Sequence, residues 1–362
     1  MSKLMVGLSG GVDSAVAAAL LMEQGHEVTG GYMKNWMNDE GIPGDCPWEQ
    51  DIEDAHAVAK ALGIEFRVID LIDQYKHRIV EYLVNGYGEG LTPNPDVWCN
   101  REMKFGVFLD YALRQGFDAV GTGHYARRRV LSNGEATVLR GADPNKDQSY
   151  FLSLMTQHQV EHARFPTGEM LKPDVREVAR RFNLPVAEKK DSQGICFLGQ
   201  VKMSDFLAHY LPDKPGEIVD TEGRVMGIHR GLHFYTIGQR KGHGVASPKE
   251  GMAYVVVGKR ASENRLVIGW DREDTEGLYS KECIVGSISS INEEIASLKR
   301  VEAQPRYRAK AEFAKVEAME GGKVKLVFGK AQRAIVAGQI MAFYDGGSLL
   351  GGGVVESAGG RF

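Results

Sequence analysis

Short apolar runs alternate with stretches of helical periodicity over roughly the first 125 residues. Leu4 to Leu8 reads as a buried strand, the stretch from about Ser14 to Gln24 as a helix stopped by Gly25, and His26 to Met33 as a second strand. Ile52, Ala55, Ala59 and Leu62 then repeat at helical spacing before Gly63, and Ile64 to Leu71 reads as a third strand. A further helix, from about Glu102 to Gln115, leads into Ala119 to Gly121. Strands and helices in alternation imply parallel βα units. The pattern therefore predicts an α/β fold on an open, doubly wound parallel sheet, with ligands beyond the carboxyl ends of its strands.

After Tyr125 the pattern changes. Asn133-Gly134, between Val130-Leu131 and Thr137-Val138-Leu139, is a hairpin signal and marks an insertion or a sheet edge. Lys172 to Asn183 reads as a helix, with Pro173 suited to its first turn and Pro185 beyond its end. From about Pro215 onward, glycine-rich turns separate short β-like stretches, among them Tyr254 to Lys259, Leu266 to Gly269, Lys323 to Phe328 and Ile340 to Tyr344. Three domains are expected: a catalytic α/β domain over 1–205, a small, mostly β central domain over 206–276, and a β-barrel-like domain over 277–362.

Composition narrows the class. With 362 residues, 43% apolar and 25% charged, the chain can build two or three cores, which excludes disordered, collagenous and membrane classes. No run of 18 apolar residues exists, so no membrane partner is expected. Met1 to Gln24 has the outline of a signal peptide, but Gly10, Gly11 and Asp13 interrupt its apolar centre. Cys46, Cys99, Cys196 and Cys283 are too scattered for a disulfide framework, so the expected location is a reducing cytoplasm. Lys and Arg number 44 against 48 Asp and Glu, so a nucleic-acid site would have to be a local patch. Residues 277–362 carry 12 basic and 9 acidic side chains, a bias that suits contact with a polyanion and equally suits random scatter.

The first chemical signal is Ser9-Gly10-Gly11-Val12-Asp13-Ser14, between the first strand and the first helix. A loop there offers backbone N–H groups and a helix N-terminus to an anion. Its glycines admit close approach, Ser9 and Ser14 add hydroxyl donors, and Asp13 can contact the Mg²⁺ that accompanies a polyphosphate. No Gly-Lys-Ser/Thr follows, and the dinucleotide Gly-x-Gly-x-x-Gly spacing is absent, which disfavours kinases and dehydrogenases. The loop resembles the PP-loop of ATP pyrophosphatases, which cleave ATP between the α- and β-phosphates and place AMP on a substrate oxygen. It names a half-reaction shared by amidating synthetases and tRNA thiolases.

Cys99 follows the turn Thr92-Pro93-Asn94-Pro95-Asp96 and stands where a helix is expected to start, near Arg101 and Lys104; both features would raise its thiolate fraction. Cys196 lies in the polar loop Asp191-Ser192-Gln193-Gly194-Ile195-Cys196-Phe197, after Lys189-Lys190. Cys46 and Cys283 lack paired Cys or His spacing, so no protein-held zinc or iron–sulfur site is expected.

Taken with Gly7 to Ser14, these contexts, Gly121-Thr122-Gly123-His124-Tyr125, Lys146-Asp147-Gln148-Ser149-Tyr150, Thr236 to Gly242, Arg306-Tyr307-Arg308 and Ala337-Gly338-Gln339 resemble the tRNA-specific 2-thiouridylase family over nearly the whole chain. The resemblance implies 2-thiolation of the wobble uridine in tRNAs for lysine, glutamate and glutamine. ATP, with Mg²⁺, would adenylate O2 of the uridine. Cys196 would receive sulfur as a persulfide from a cysteine desulfurase or a relay protein, and Cys99 would be the partner nucleophile. Cys99 would either act on the persulfide to release the terminal sulfur, or attack afterwards so that Cys99 and Cys196 finish as a disulfide; both routes need the two thiols within disulfide reach and at least one mobile loop.

Carried over residue by residue, Gly7, Leu8, Ser9, Gly10, Gly11, Val12, Asp13, Ser14, Met33 and Gly123 are expected to bind ATP. Asn94, Pro95 and Asp96 are expected to hold the target base, and His124, Lys146, Asp147, Gln148, Arg306, Tyr307 and Gln339 to contact the anticodon arm of the tRNA. Arg127 to Arg129 and Arg240-Lys241 read as solvated strand-edge charge or as an extension of that surface. Two other classes fit parts of the pattern: a PP-loop synthetase joining an amine to an adenylated metabolite, and a non-catalytic RNA-binding protein.

Overall fold

The computed structural model describes residues 1–38, 41–43, 48–190, 201–246 and 252–359. Cys46 and Cys196 lie outside these residues.

In the first sheet, β1 (Lys3–Gly7), β2 (Glu27–Lys34), β3 (Glu65–Asp70) and β4 (Ala119–Gly121) are joined, past the hairpin β5 (Ala126–Val130) and β6 (Ala136–Arg140), by the two-residue β7 (Ala163–Arg164). The order is β3-β2-β1-β4-β7 and every pairing is parallel. Alternation along β1 sends Leu4 and Val6 to one face and Met5 to the other. Leu4 and Val6 pack with Ala15, Val16 and Ala18 of α1 (Val12–Glu23), Ala55 and Val58 of α2 (Trp48–Leu62), and Val175 and Ala179 of the helix Lys172–Arg181. Met5 packs with Met33, Ile69, Phe105, Phe108 and Leu109. Two helical layers over a parallel sheet whose central strands β1 and β4 are buried are the expected doubly wound arrangement.

One helix starts earlier than its apolar pattern indicates. It begins at Pro95 instead of about Glu102, runs through Pro95–Cys99 and a wider-turned stretch Asn100–Val107, and ends with Phe108–Arg114. Asn94 caps it, its Oδ1 accepting from the Val97 N–H at 3.1 Å, and Pro95 takes the first-turn position where a missing N–H costs nothing.

The central sheet has β8 (Gly216–Asp220), β9 (Val225–His229), β10 (Tyr254–Arg260) and β11 (Arg265–Trp270) in the order β10-β11-β8-β9. The last six strands are β12 (Tyr279–Ser290), β13 (Arg300–Gln304), β14 (Glu312–Ala318), β15 (Val324–Arg333), β16 (Ile340–Asp345) and β17 (Ser348–Ala358). They run antiparallel in the order β12-β15-β14-β13-β16-β17, and β12 pairs with β17 to close the barrel.

The hairpin around Asn133-Gly134 proves to be a sheet edge, and the sheet is that of the barrel: Val138 and Leu139 of β6 pair with Leu349 and Ser348 of β17. The two units also share a core, because Ile291, Ile340, Ala342, Tyr344 and Leu349 belong to the apolar cluster that holds Met5 and Cys99. Polar links cross the same seam. The Tyr150 hydroxyl donates to the Ile340 carbonyl at 2.9 Å and shares a hydrogen bond with Asn94, while Ser149 Oγ lies 3.1 Å from the Tyr344 hydroxyl. Tyr150→Phe, which leaves the buried Ile340 carbonyl without this hydroxyl, should cost about 1 kcal/mol or more. The expected result is a lower urea midpoint; an unchanged midpoint would contradict the link.

Candidate active site

The anion loop lies at the carboxyl edge of β1. Leu8 continues the sheet, donating its N–H to the Gly31 carbonyl at 2.9 Å, and the chain then turns through Ser9 and Gly10 into α1. Gly11 is the N-cap and offers no side chain, so no side-chain cap competes for the first-turn amides of α1. Ser14 fixes the turn instead: its Oγ accepts from the Ser9 N–H at 3.1 Å and donates to the Gly11 carbonyl at 3.0 Å. Gly10 has φ +73°, and a Cβ there would lie 2.6 Å from the Asp51 carbonyl oxygen of α2. Only glycine fits between loop and helix.

Asp13 joins the loop to distant parts of the chain. Its Oδ1 accepts from the Tyr125 hydroxyl and from Lys172 Nζ, each at 2.7 Å. Tyr125 is in turn held by Gln148, whose Oε1 accepts the Tyr125 N–H at 3.0 Å and whose own N–H donates to the Tyr125 carbonyl at 2.9 Å. Gly123 lies against the loop, since a Cβ there would sit 2.5 Å from the Asp13 carbonyl carbon and 2.7 Å from the Ser14 nitrogen. The Asp13 carboxylate, 33% exposed and on the loop that carries two serine hydroxyls, is a hard-oxygen donor of the kind Mg²⁺ takes with phosphate. Sequence reasoning missed Lys172. The one signal for it was indirect: a polyphosphate loop without Lys or Arg must draw a cation from elsewhere, and no spacing rule reaches 159 positions.

On the other side of the loop, Lys189 Nζ bonds Asp51 at 2.8 Å and Asp54 at 2.6 Å, both on α2. Burial works against the Lys189 charge, but the two carboxylates outweigh it and hold its pKa above the ordinary value. Lys189 is thereby fixed to the helix that touches Gly10.

Cys99 is the fifth residue of its helix, 1% exposed, in the cluster with Met33, Trp36, Val97 and Met103. This corrects the expectation that Cys99 opens its helix. The helix-terminus field fades within the first turn, so the thiol stands beyond its strongest part. Arg101 meets Glu102 at 3.3 Å and the Trp98 ring at 5.2 Å. What the geometry supplies instead is enclosure, with a wide π-type stretch starting at the next residue; such stretches often mark functional sites. Just past the carboxyl end of β2, both amide atoms of Asn35 and Nε1 of Trp36 are buried without a partner among the described residues, as is Oδ1 of Asn100, the residue after the thiol. Met33 is also buried, its methyl 3.3 Å from where a Gly7 Cβ would stand.

The barrel supports the turn that precedes Cys99. The Thr92 N–H donates to the Ala337 carbonyl at 2.9 Å, and Gln339 shapes that supporting turn, its Oε1 accepting the Val336 N–H at 3.1 Å. Asp147 accepts four hydrogen bonds, from the Gly141 and Ser149 amides, Ser149 Oγ and Arg140. Lys146 is in the same turn, its N–H bonded to the Asp143 carbonyl. Arg306 donates to the Arg333 carbonyl at 2.8 Å, and Tyr307 packs on Phe151 with centroids 4.5 Å apart. Asp147, Tyr150 and Tyr307 line one cleft of about 450 Å³ with Arg140, Arg308 and Lys310. Arg128 is turned inward to the carbonyls of Val160 and Glu161.

His124 is 8% exposed, bonded through Nδ1 to Thr122 Oγ1 at 2.7 Å and packed edge-on against Phe165. Burial, with Lys104 adding to it, holds its pKa well below 6.5, so the ring is neutral near pH 7. Elsewhere His158, Glu161 and His162 bring ligand atoms within 4.8 Å of one another, but Arg128 and Arg164 both bond the Glu161 carbonyl and oppose a cation there.

Comparison with known proteins gives a consistent picture. Residues 2–200 match a family model described as a tRNA methyl transferase HUP domain, residues 204–270 a tRNA methyl transferase PRC-barrel domain, and residues 280–355 an aminomethyltransferase β-barrel domain. The chain is 67% identical over 357 residues to the tRNA-specific 2-thiouridylase MnmA of Akkermansia muciniphila, covering 99% of each chain. It is 45% identical over 361 residues to the protein of that name from Pseudomonas entomophila, covering 99% of this chain and 95% of the relative. Among solved structures, an NMN synthetase from Francisella tularensis aligns with a TM-score of 0.33 at 19% identity, over 56% of this chain and 71% of its own.

Two outcomes follow from the geometry. Gly123→Ala should displace the start of α1 and weaken ATP binding while the far-ultraviolet circular dichroism stays that of the wild type; unchanged ATP affinity would contradict the close contact. His124 has a lowered folded pKa, so the unfolded chain takes up its proton first, and stability should fall as pH drops below about 6.5. His124→Gln should flatten that slope in urea titrations at stepped pH, and an identical slope would contradict the assignment.

Proposed function

The chain belongs to the tRNA-specific 2-thiouridylase family, and from that premise we propose that it catalyses ATP-dependent 2-thiolation of the wobble uridine in tRNAs for lysine, glutamate and glutamine. The observation that supports the reading is a glycine-rich loop at the carboxyl end of β1 together with a buried cysteine that packs in one cluster with Met33 and Trp36 at the end of β2, where polar groups have no partner among the described residues. The matched domain models carry a methyl transferase description. What favours sulfur transfer is the named relatives together with a phosphate loop and two cysteines in matching contexts.

In the proposed reaction O2 of the extruded uridine attacks the α-phosphorus of ATP, pyrophosphate leaves, and AMP becomes a good leaving group on C2. The first-turn amides of α1 and the Ser9 and Ser14 hydroxyls receive the phosphates, and Gly7, Leu8, Met33 and Gly123 shape the nucleotide cradle. Asp13 would hold Mg²⁺, which neutralises charge on the departing phosphates. Asn94, Pro95 and Asp96 hold the base beside Cys99. His124, Lys146 to Gln148, Arg306, Tyr307 and Gln339 face the anticodon arm, with His124 serving as a neutral hydrogen-bonding or stacking surface.

Cys196 carries the persulfide delivered by a cysteine desulfurase or a relay protein. On one route Cys99 attacks the inner sulfur, hydrosulfide leaves, and that hydrosulfide displaces AMP from C2. On the other the terminal sulfur displaces AMP first, and Cys99 then attacks Cys196 Sγ to release 2-thiouridine. Both leave a Cys99–Cys196 disulfide that an external thiol must reduce by two electrons. The working compartment is the cytoplasm, where such reductants act.

The test is mass spectrometry of nucleosides from undermodified lysine tRNA incubated with ATP, Mg²⁺, a reductant and a persulfide-generating desulfurase. ATP-dependent 2-thiouridine is expected, lost in Cys99→Ser and in Cys196→Ser, with pyrophosphate release persisting in the latter. Pyrophosphate release that needs no tRNA and yields no 2-thiouridine would instead support an amidating synthetase.

A further inference from the structure

The loop from Ser9 to Ser14 contains no Lys or Arg, yet it is placed to receive a pyrophosphate leaving group of several negative charges. Amides and hydroxyls supply partial charges only. We propose that Lys172 is the cation of this loop: its ammonium exchanges Asp13 for the β- and γ-phosphoryl oxygens when nucleotide enters, and stabilises pyrophosphate as it departs. The inference rests on the adenylation reading above.

Four observations carry it. Lys172 Nζ lies 2.7 Å from Asp13 Oδ1, on the second residue of the helix whose N-terminus faces the anion. Its side chain is only 13% exposed, so its charge is poorly screened by water. Its base is fixed, because Lys172 opens the helix Lys172–Arg181 with its N–H donating to Asp143 at 3.1 Å, leaving a flexible four-carbon stem to redirect the ammonium. And its carboxylate partner is shared with the Tyr125 hydroxyl, which keeps Asp13 in place when the lysine turns away. Lys189, the other lysine beside the loop, is instead held by two carboxylates, Asp51 and Asp54, on the opposite side of Gly10. The exchange also suits Asp13, whose carboxylate is neutralised by lysine without nucleotide and by Mg²⁺ with it. The exchange swaps one ion-pair partner for another and transfers no proton or electron.

The experiment uses the full-length protein, Lys172→Met and Lys172→Arg. Calorimetric titration with inorganic pyrophosphate and Mg²⁺ is paired with steady-state pyrophosphate release on undermodified tRNA. Lys172→Met should weaken pyrophosphate binding about tenfold or more, the factor one charge-assisted hydrogen bond supplies. It should also raise the KM for ATP and lower kcat, while Lys172→Arg recovers most of both. Affinities within twofold of the wild type in Lys172→Met would overturn the proposal. So would an Arg variant no better than Met in which the loss tracks a lower melting temperature, since that marks a merely structural lysine. A wild-type protein that binds pyrophosphate through Lys172 but releases none from ATP would leave the anion site standing and overturn the adenylation reading, and with it the catalytic role of Lys172.

Discussion

The carboxylate of Asp13 is the junction on which the site depends. One oxygen accepts hydrogen bonds from Tyr125 and Lys172, residues 112 and 159 positions away, and so ties the start of α1 to two later segments of the same domain. The tie continues outward. Gln148 grips Tyr125 by both backbone polar groups, and its neighbours Asp147 and Ser149 reach Arg140 and the barrel residue Tyr344. The loop between β1 and α1 and the C-terminal barrel are thus ends of one hydrogen-bonded run. Glycine is required where backbones touch: at Gly10 against α2 and at Gly123 against α1.

The second half of the site is built differently. Cys99 is held by packing, in a core that passes without a break from the sheet to the barrel. The turn before it is supported by the barrel through Thr92 and Ala337 and through the Tyr150 hydroxyl, which serves Asn94 and Ile340 together. Polar bonds fix the nucleotide side, where charge must be met. Packing fixes the thiol side, where a base would have to be enclosed away from water. The barrel sets the position of the turn that opens the Cys99 helix.

The parallel sheet was legible because β-like segments alternate with helical ones, β1 being a continuous apolar run, and the loop was legible because its residue types and its place after β1 agree. The early start of the Cys99 helix was written in Asn94-Pro95, an N-cap followed by a first-turn proline, but its apolar period begins only later. Two residues of β7 carry no period at all. Closure of the barrel through β12 and β17, and the attachment of β6 to it, depend on pairings between segments far apart in sequence, which local pattern cannot register. Lys172 escaped for the same reason, since its role is set by where its helix docks.

The central chemical claim is that the uridine oxygen leaves with AMP. Undermodified tRNA carrying ¹⁸O at O2 of the wobble uridine, thiolated in unlabelled water, tests it in one mass spectrum of the nucleotide product. AMP containing one ¹⁸O atom for each 2-thiouridine formed is the outcome expected if O2 attacks the α-phosphorus. Unlabelled AMP, with thiolation otherwise intact, would show that the base is activated without adenylation and would contradict the role given to the loop at Asp13.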